Sequence, residues 1–134
     1  MTIAQDNGYT IFAMKEEKLC VLAVDDEADM RQTYQTILKK HFQVLTAASG
    51  KEALKIVQNQ PVVLVLLDIR MPQTNGVTVL QKIKELDPDI IVIMVSASKD
   101  VEAAVSAMKL GAFDYVSKPF DVKELLVLID KALA

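Results

Sequence analysis

Short apolar runs alternate along this sequence with segments of helical periodicity. Strand candidates rich in apolar residues occupy residues 19–24, 42–47, 62–67, 90–95 and 112–117. Residues 62–67 contain no polar residue at all, which is typical of a central parallel strand buried on both faces. Each run is followed by a segment whose apolar residues recur three or four positions apart. Five strand and helix units in strict alternation predict an α/β fold, a parallel sheet with helices on both faces.

Capping residues mark the beginnings of several predicted helices. Ser49 is followed three residues later by Glu52, the spacing of a capping box. Asp100 and Asp121 are N-cap candidates for the last two helices. The helical periodicity predicts buried faces formed by Met30, Tyr34, Ile37 and Leu38, by Ala53, Leu54 and Val57, by Val77, Leu80 and Ile83, by Val101, Ala104, Val105 and Met108, and by Leu125, Leu128, Ile129 and Ala132.

Length, charge and cysteine content limit the number of domains and the classes of function that fit this chain. The chain has 134 residues, the size of one domain with its own hydrophobic core. Its net charge of −3 argues against a nucleic-acid-binding surface, because phosphate backbones are held by excess lysine and arginine. The single cysteine, Cys20, lies in an apolar run and is interpreted as a core residue in a reducing compartment.

No segment has the length or composition of a membrane anchor or a secretion signal. The longest apolar runs, residues 62–67 and 90–95, hold six residues each, whereas a membrane-spanning helix needs ~20. Residues 1–14 include Asp6 and lack a basic region followed by an apolar block. We therefore expect a cytoplasmic protein without a membrane partner.

Reactive side chains follow four of the five predicted strands. Asp25 and Asp26 follow the first strand, Asp68 the third, Ser96 the fourth and Lys118 the fifth. An aspartate after a strand is usually only a helix cap. The carboxyl ends of parallel strands meet at one edge of the sheet, however, and ligands of open α/β sheets bind at that edge. We therefore expect all five side chains to form one site.

Three neighbouring carboxylates indicate a cation site with phosphoryl chemistry. Carboxylates in close proximity repel one another, and a divalent ion relieves this repulsion. All-oxygen ligands favour Mg²⁺, or Mn²⁺, over zinc. The cation and the Lys118 ammonium together balance the three carboxylates, so the site can accept an anionic phosphoryl group. A carboxylate in such a site can act as the nucleophile and form an acyl phosphate.

The motifs at these strand ends resemble those of a known family. They are VDDE at residues 24–27, LLDIRMP at 66–72 followed by Gly76, VSA at 95–97 and GAFDYVSKPF at 111–120. In order and spacing they are similar to the receiver domains of two-component response regulators, most of all to those of the AAA+ transcription-activating class. The resemblance covers residues 18–133 and implies the doubly wound, flavodoxin-like strand order 2-1-3-4-5.

The resemblance also implies roles for the residues of the site. Asp68 resembles the phosphoacceptor, which takes a phosphoryl group from a phosphohistidine of a sensor kinase or phosphotransfer protein. Asp26 and Asp68 would bind Mg²⁺ directly, Asp25 through a water, and Arg70 through its backbone carbonyl. Lys118 would pair with Asp68 before the reaction and with a phosphoryl oxygen after it.

Further residues are implied to stabilise the phosphorylated form and to change position with it. Ser96 and the Ala97 N–H would bind the new phosphoryl group, and Tyr115 would turn inward as Ser96 moves. Without the resemblance, Tyr115 would be interpreted as a strand aromatic at the edge of the core. The Lys118–Pro119 peptide bond is expected to be cis, as in similar proteins.

The resemblance implies a switch rather than a turnover enzyme. Acyl phosphate formation adds about one negative charge and three acceptor oxygens at Asp68, which biases a pre-existing active arrangement. The expected readout is the face formed by the fourth helix, fifth strand and fifth helix, residues 100–134. That face would contact an output domain or effector outside this chain, or form a phosphorylation-linked homodimer.

Two other functions would require residues that this chain lacks. An Mg²⁺-dependent phosphatase or phosphotransferase of the haloacid-dehalogenase type would need a second acid two residues after the nucleophile, where this chain has Arg70. A flavodoxin-like cofactor carrier would need a phosphate-binding loop after Val24, and none is present. Residues 1–17 precede the first strand and are expected to be a disordered or loosely packed extension of a receiver domain at residues 18–134.

Overall fold

A five-stranded parallel sheet lies at the centre of the structure, a computed structural model that describes residues 18–134. Its strands are β1 (Cys20–Val24), β2 (Gln43–Ala47), β3 (Val62–Leu67), β4 (Ile91–Ser96) and β5 (Asp114–Ser117). They are arranged in the order β2-β1-β3-β4-β5, and every neighbouring pair is parallel. The predicted α/β fold and strand order are therefore confirmed. The expectation for residues 1–17 lies outside the described residues.

Five helices connect and follow the strands. They are α1 (Ala28–Leu38), α2 (Gly50–Asn59), α3 (Gly76–Leu86), α4 (Val101–Lys109) and α5 (Val122–Leu133). Helices α1 and α5 share one core cluster with one face of the sheet, while α2, α3 and α4 share a second cluster with the other face. Among residues 18–134, no helix has the length and hydrophobicity needed to cross a membrane.

The predicted caps and most of the predicted helix faces are confirmed. Ser49 accepts a hydrogen bond from the Glu52 N–H, and the Asp100 and Asp121 side chains accept from the first turns of α4 and α5. Buried residues of the predicted faces are Tyr34, Leu38, Ala53, Val57, Leu80, Ile83, Leu125, Ile129 and Ala132. Those only partly buried are Met30, Ile37, Leu54, Val77, Ala104 and Leu128.

Helix α4 turns a different face to the core from the one predicted by the sequence pattern. The prediction that Val101, Val105 and Met108 are buried is wrong, because these side chains are 73%, 46% and 45% exposed. Ala107 is fully buried instead, and Ala103 packs against the same core cluster. The small alanine side chains allow α4 to pack closely, which leaves the larger apolar residues on the outer surface.

The connection from β3 to α3 contains a short hairpin. Arg70–Met71 pairs antiparallel with Thr74–Asn75, and Gln73 at the turn has a φ of 67°. Gly76 follows as the first residue of α3, where a Cβ atom would lie 2.1 Å from the backbone oxygen of Asp68. Only glycine fits this close approach, and it lets α3 begin directly against the end of β3.

Candidate functional site

Three aspartates meet at the carboxyl edge of the sheet. Asp25 and Asp26 follow β1 and Asp68 follows β3, and one carboxylate oxygen from each lies within 4.8 Å of the others. Asp25 and Asp68 are buried, whereas Asp26 is exposed. Because β1 and β3 are adjacent parallel strands, their ends deliver all three side chains to one place.

Lys118 connects two of these aspartates from the end of β5. Its Nζ atom lies 2.5 Å from Asp25 Oδ2 and 3.0 Å from Asp68 Oδ2. The Lys118 side chain is 13% exposed, and the Asp25 and Asp68 side chains are 0% and 8% exposed. Two largely buried carboxylates therefore share one ammonium group, and the described cluster of Asp25, Asp26, Asp68 and Lys118 carries an excess of negative charge.

Opposing effects set the protonation of Lys118. Burial lowers the pKa of Lys118, but the hydrogen bonds to Asp25 and Asp68 and their negative charges raise it by more. The net result is a pKa above the ordinary lysine value. Lys118 is therefore positively charged at neutral pH and available to bind an anionic group next to Asp68.

Asp68 also accepts two hydrogen bonds at its other oxygen. The Ser96 hydroxyl at the end of β4 donates to Asp68 Oδ1 over 2.8 Å, and the Arg70 N–H donates to the same oxygen over 3.0 Å. With Lys118 on Oδ2, the carboxylate is fixed in orientation at both oxygens. Ser96 is fully buried, so its hydroxyl is positioned by the strand.

The open side of the site is a cleft with a polar rim. Asp26, Asp68, Ser96 and Lys118 line this cleft together with other rim residues, namely Glu27, Arg70, Ala97, Ser98 and Lys99. Arg70 Nε donates to Ser98 Oγ over 3.3 Å, so these two side chains join the segment after β3 to the segment after β4. Ala97 is exposed at the rim, directly after Ser96.

Tyr115 and Pro119 lie beside the site on the β5 side. The Tyr115 hydroxyl donates to the Ser98 backbone oxygen over 2.6 Å, and the ring packs partly buried against the core. The Lys118–Pro119 peptide bond is cis. The structure therefore brings every predicted site residue to the edge formed by β1, β3, β4 and β5.

Two contacts to Asp25 were missed by the sequence analysis. The Glu27 N–H donates to Asp25 Oδ1 over 2.9 Å, and Arg31 Nη1 donates to the Asp25 backbone oxygen over 2.9 Å. Both contacts fix the β1–α1 turn that carries Asp25 and Asp26. The helical pattern places Arg31 on the polar side of α1 and gave no indication that its side chain reaches back to the turn.

The donor set fits a hard divalent cation. All three side chains offer carboxylate oxygens, and two of the three carboxylates are buried with a single ammonium between them. No cysteine or histidine is among them, so the chemistry of the set favours Mg²⁺ or Mn²⁺ over zinc. Asp26 and Asp68 reach the cleft, where an ion from solvent would enter.

Comparison with known proteins shows the family. Residues 21–130 match the family model described as the response regulator receiver domain. The chain therefore belongs to the response regulator receiver domain family, a class of regulatory domains in two-component systems. The resemblance seen in the sequence motifs is confirmed, and the haloacid-dehalogenase-like alternative is not supported.

Individual relatives are transcriptional regulators and separate receiver domains. The chain is 39% identical over 122 residues to the transcriptional regulatory protein ZraR of Escherichia coli and 38% identical over 112 residues to the DNA-binding transcriptional regulator NtrC of Klebsiella pneumoniae. These matches cover 90% and 83% of this chain but only 28% and 24% of the two regulators. A CheY-like receiver domain protein from Methanospirillum hungatei has a similar structure, with a TM-score of 0.85, 30% identity and coverage of 87% of this chain and 94% of that one. The receiver domain of NtrX from Brucella abortus gives a TM-score of 0.79 at 34% identity, over 84% and 97% of the two chains.

Proposed function

We propose that this chain is a phosphoacceptor switch in which Asp68 takes a phosphoryl group from a phosphohistidine of a sensor kinase or phosphotransfer protein. The observation that carries this proposal is the environment of the Asp68 carboxylate. It lies at the base of an open cleft, with an ammonium at one oxygen and a hydroxyl at the other. Family membership supports the same chemistry.

The proposed step is an in-line displacement at phosphorus. An oxygen of the Asp68 carboxylate attacks, a new O–P bond forms, and the P–N bond to the donor imidazole breaks, with the bonding electrons returning to nitrogen. The donor imidazole leaves and takes a proton from solvent. Asp68 thereby becomes an acyl phosphate with about one additional negative charge.

We expect three neighbours of Asp68 to stabilise that charge. Lys118 binds a phosphoryl oxygen in exchange for its contact with Asp68, and the Ser96 hydroxyl and the Ala97 N–H donate to others. Asp26 and Asp68, with Asp25 through a water and the Arg70 carbonyl, would hold Mg²⁺. The bound ion supplies positive charge that offsets the carboxylates and the phosphoryl oxygens.

The proposal is tested by incubating the chain with Mg²⁺ and acetyl phosphate and following its intact mass. We expect one phosphoryl group per chain, formed only when Mg²⁺ is present, and no turnover of simple phosphomonoesters. An unmodified chain would contradict the proposal. Steady hydrolysis of a phosphomonoester would instead support an enzymatic function.

Magnesium is expected to stabilise the folded chain through this site. At a concentration tenfold above its dissociation constant, a ligand of the native state adds about 1.4 kcal/mol to the free energy of unfolding. We expect urea unfolding to show this gain for the wild type and little of it for Asp26→Asn. Asp29→Asn is the matched control, because Asp29 is an exposed acid on the first turn of α1 outside the cluster. An equal gain in Asp26→Asn would argue against Mg²⁺ at this site.

The outer surface of α4 is the proposed contact with a partner. Val101, Val105 and Met108 form an exposed apolar stripe within residues 100–134, the face expected to read out phosphorylation. The occupant would be an output domain, an effector or a second copy of this chain.

If the occupant is a second copy, beryllofluoride with Mg²⁺ should convert the wild-type chain to a dimer, as measured by analytical sedimentation. Ser106→Glu should form the same dimer, whereas Val105→Glu should remain a monomer. A wild-type chain that stays monomeric would exclude the homodimer.

A further inference from the structure

Tyr34 is a buried aromatic residue that connects α1 to the segment after Lys118. It is 1% exposed and is among the largest fully buried side chains described. Its ring lies 6.0 Å from that of Phe120, centroid to centroid, with the planes inclined by 15°. Phe120 is half-buried and follows Lys118 by two residues. The stack therefore joins α1 to the backbone that carries the Lys118 ammonium.

Main-chain hydrogen bonds hold Lys118 but not the two residues that follow it. The Lys118 N–H donates to the Ser96 backbone oxygen, and the next main-chain hydrogen bond begins at the Asp121 carbonyl in the first turn of α5. Within residues 18–134, neither Pro119 nor Phe120 makes a main-chain hydrogen bond to another main-chain group. The position of Pro119 and Phe120 therefore depends on side-chain packing. The stack of the Phe120 ring on the Tyr34 ring is the aromatic part of that packing.

The ring of Tyr34, rather than its hydroxyl, makes this contact. The hydroxyl has no hydrogen-bond partner within residues 18–134 of the structure. Burial raises the pKa of Tyr34, and the negative charges of Asp25 and Asp68 raise it further, so the side chain is neutral. A phenylalanine at this position would keep the stacked ring and remove only a buried polar atom.

We propose that Tyr34 is a positioning residue for phosphoryl transfer, because its stack on Phe120 holds the segment that directs the Lys118 ammonium to Asp68. The inference rests on the function proposed above and adds to it a residue outside the receiver motifs. Lys118 contacts both Asp25 and Asp68, and a small displacement of its backbone would favour one contact over the other. A misplaced ammonium slows the reaction because the charge is no longer fixed where the phosphoryl oxygens arrive.

Three variants separate positioning from general packing. Tyr34→Leu removes the aromatic stack, Tyr34→Phe keeps it, and Leu38→Val removes one methylene from the same buried side of α1 one turn further on. We expect Tyr34→Leu to be phosphorylated about tenfold more slowly than the wild type at saturating acetyl phosphate. Tyr34→Phe and Leu38→Val are expected to remain within about twofold of the wild type. All phosphorylation rates are measured at a temperature well below the thermal unfolding midpoint of each variant.

A double-mutant cycle tests whether Tyr34 acts through Phe120. If it does, Phe120→Leu slows phosphorylation about as much as Tyr34→Leu, and the double variant is no slower than either single one. If the double variant is slowed by the product of the two single effects, Tyr34 and Phe120 act independently, and the proposal is overturned. The Mg²⁺ dissociation constant should stay within about twofold in all of these variants, because a positioning effect on Lys118 leaves Asp26 and Asp68 in place, whereas general loosening of the site would weaken the metal as well.

The possible outcomes distinguish this inference from the proposed function. A wild-type chain that cannot be phosphorylated overturns both. A phosphorylated wild type with Tyr34→Leu as fast as Leu38→Val overturns the positioning role alone. If Tyr34→Leu does not fold, the test is the phosphorylation rate of Phe120→Leu, a substitution at a half-buried position. A rate within twofold of the wild type overturns the positioning role of Tyr34.

Discussion

Replacing Asp68 by asparagine is expected to abolish phosphorylation of the chain by acetyl phosphate. The amide has nearly the same shape as the carboxylate but is not a nucleophile towards phosphorus. Asp68 is also the aspartate of the cluster that faces both the Lys118 ammonium and the Ser96 hydroxyl, so no neighbouring carboxylate can take over its role. Intact mass spectrometry after incubation with Mg²⁺ and donor should show only the unmodified chain.

The control for this variant is a second aspartate exchanged in the same way. Asp130 is exposed on α5 and belongs neither to the acidic cluster nor to the lining of the cleft, so Asp130→Asn should be phosphorylated like the wild type. Both variants should unfold cooperatively in urea, which shows that loss of phosphorylation is not loss of fold. Undiminished phosphorylation of Asp68→Asn would mean that another residue is the acceptor.

Replacing Lys118 by methionine is expected to cause a large loss of stability. The substitution leaves the Asp25 and Asp68 carboxylates largely buried without their counter-ion. Removing one partner of a buried ion pair costs about 3 kcal/mol or more, since the remaining charge is uncompensated. Urea unfolding at neutral pH without Mg²⁺ should show this difference, whereas Lys123→Met, at an exposed position on α5, should remain close to the wild type.

The pH dependence of this difference follows from the raised pKa of Lys118. Because the pKa is higher in the folded than in the unfolded chain, the stabilisation is complete below the unfolded value of about 10.4 and is lost as pH rises through the folded value. The gap between the wild type and Lys118→Met should therefore be full at pH 8 and narrow in strongly alkaline solution. A gap that stays constant with pH would show that the lysine stabilises the chain by packing alone.

The fold was predictable because its strands are distinct in the sequence. The run of residues 62–67 has no polar interruption and forms the central strand β3, while Asp68 lies at its end as expected. The strand boundaries differ from the predicted ones by one or two residues: β5 begins at Asp114 rather than at residue 112, and β4 extends to Ser96. Strand ends depend on pairing with neighbours, which a single segment does not show.

The part of the site that lies at the strand ends was predictable from the sequence, and the contacts that depend on helix packing were not. Reactive residues at strand ends converge because parallel strands share an edge, and this rule located Asp25, Asp68 and Lys118. The reach of Arg31 back to the Asp25 carbonyl and the stack of Tyr34 on Phe120 depend on how α1 packs, which periodicity does not specify. Periodicity likewise shows that α4 has an apolar stripe but not that its alanines face the sheet.

The most direct test is to locate the phosphoryl group on the wild-type chain. After reaction with Mg²⁺ and acetyl phosphate, reduction by borohydride converts a phosphorylated aspartate to homoserine, which peptide mass spectrometry can assign to one residue. We predict homoserine at position 68 alone, with none in Asp68→Asn. Homoserine at position 25 or 26, or at no position, would contradict the phosphoacceptor role of Asp68.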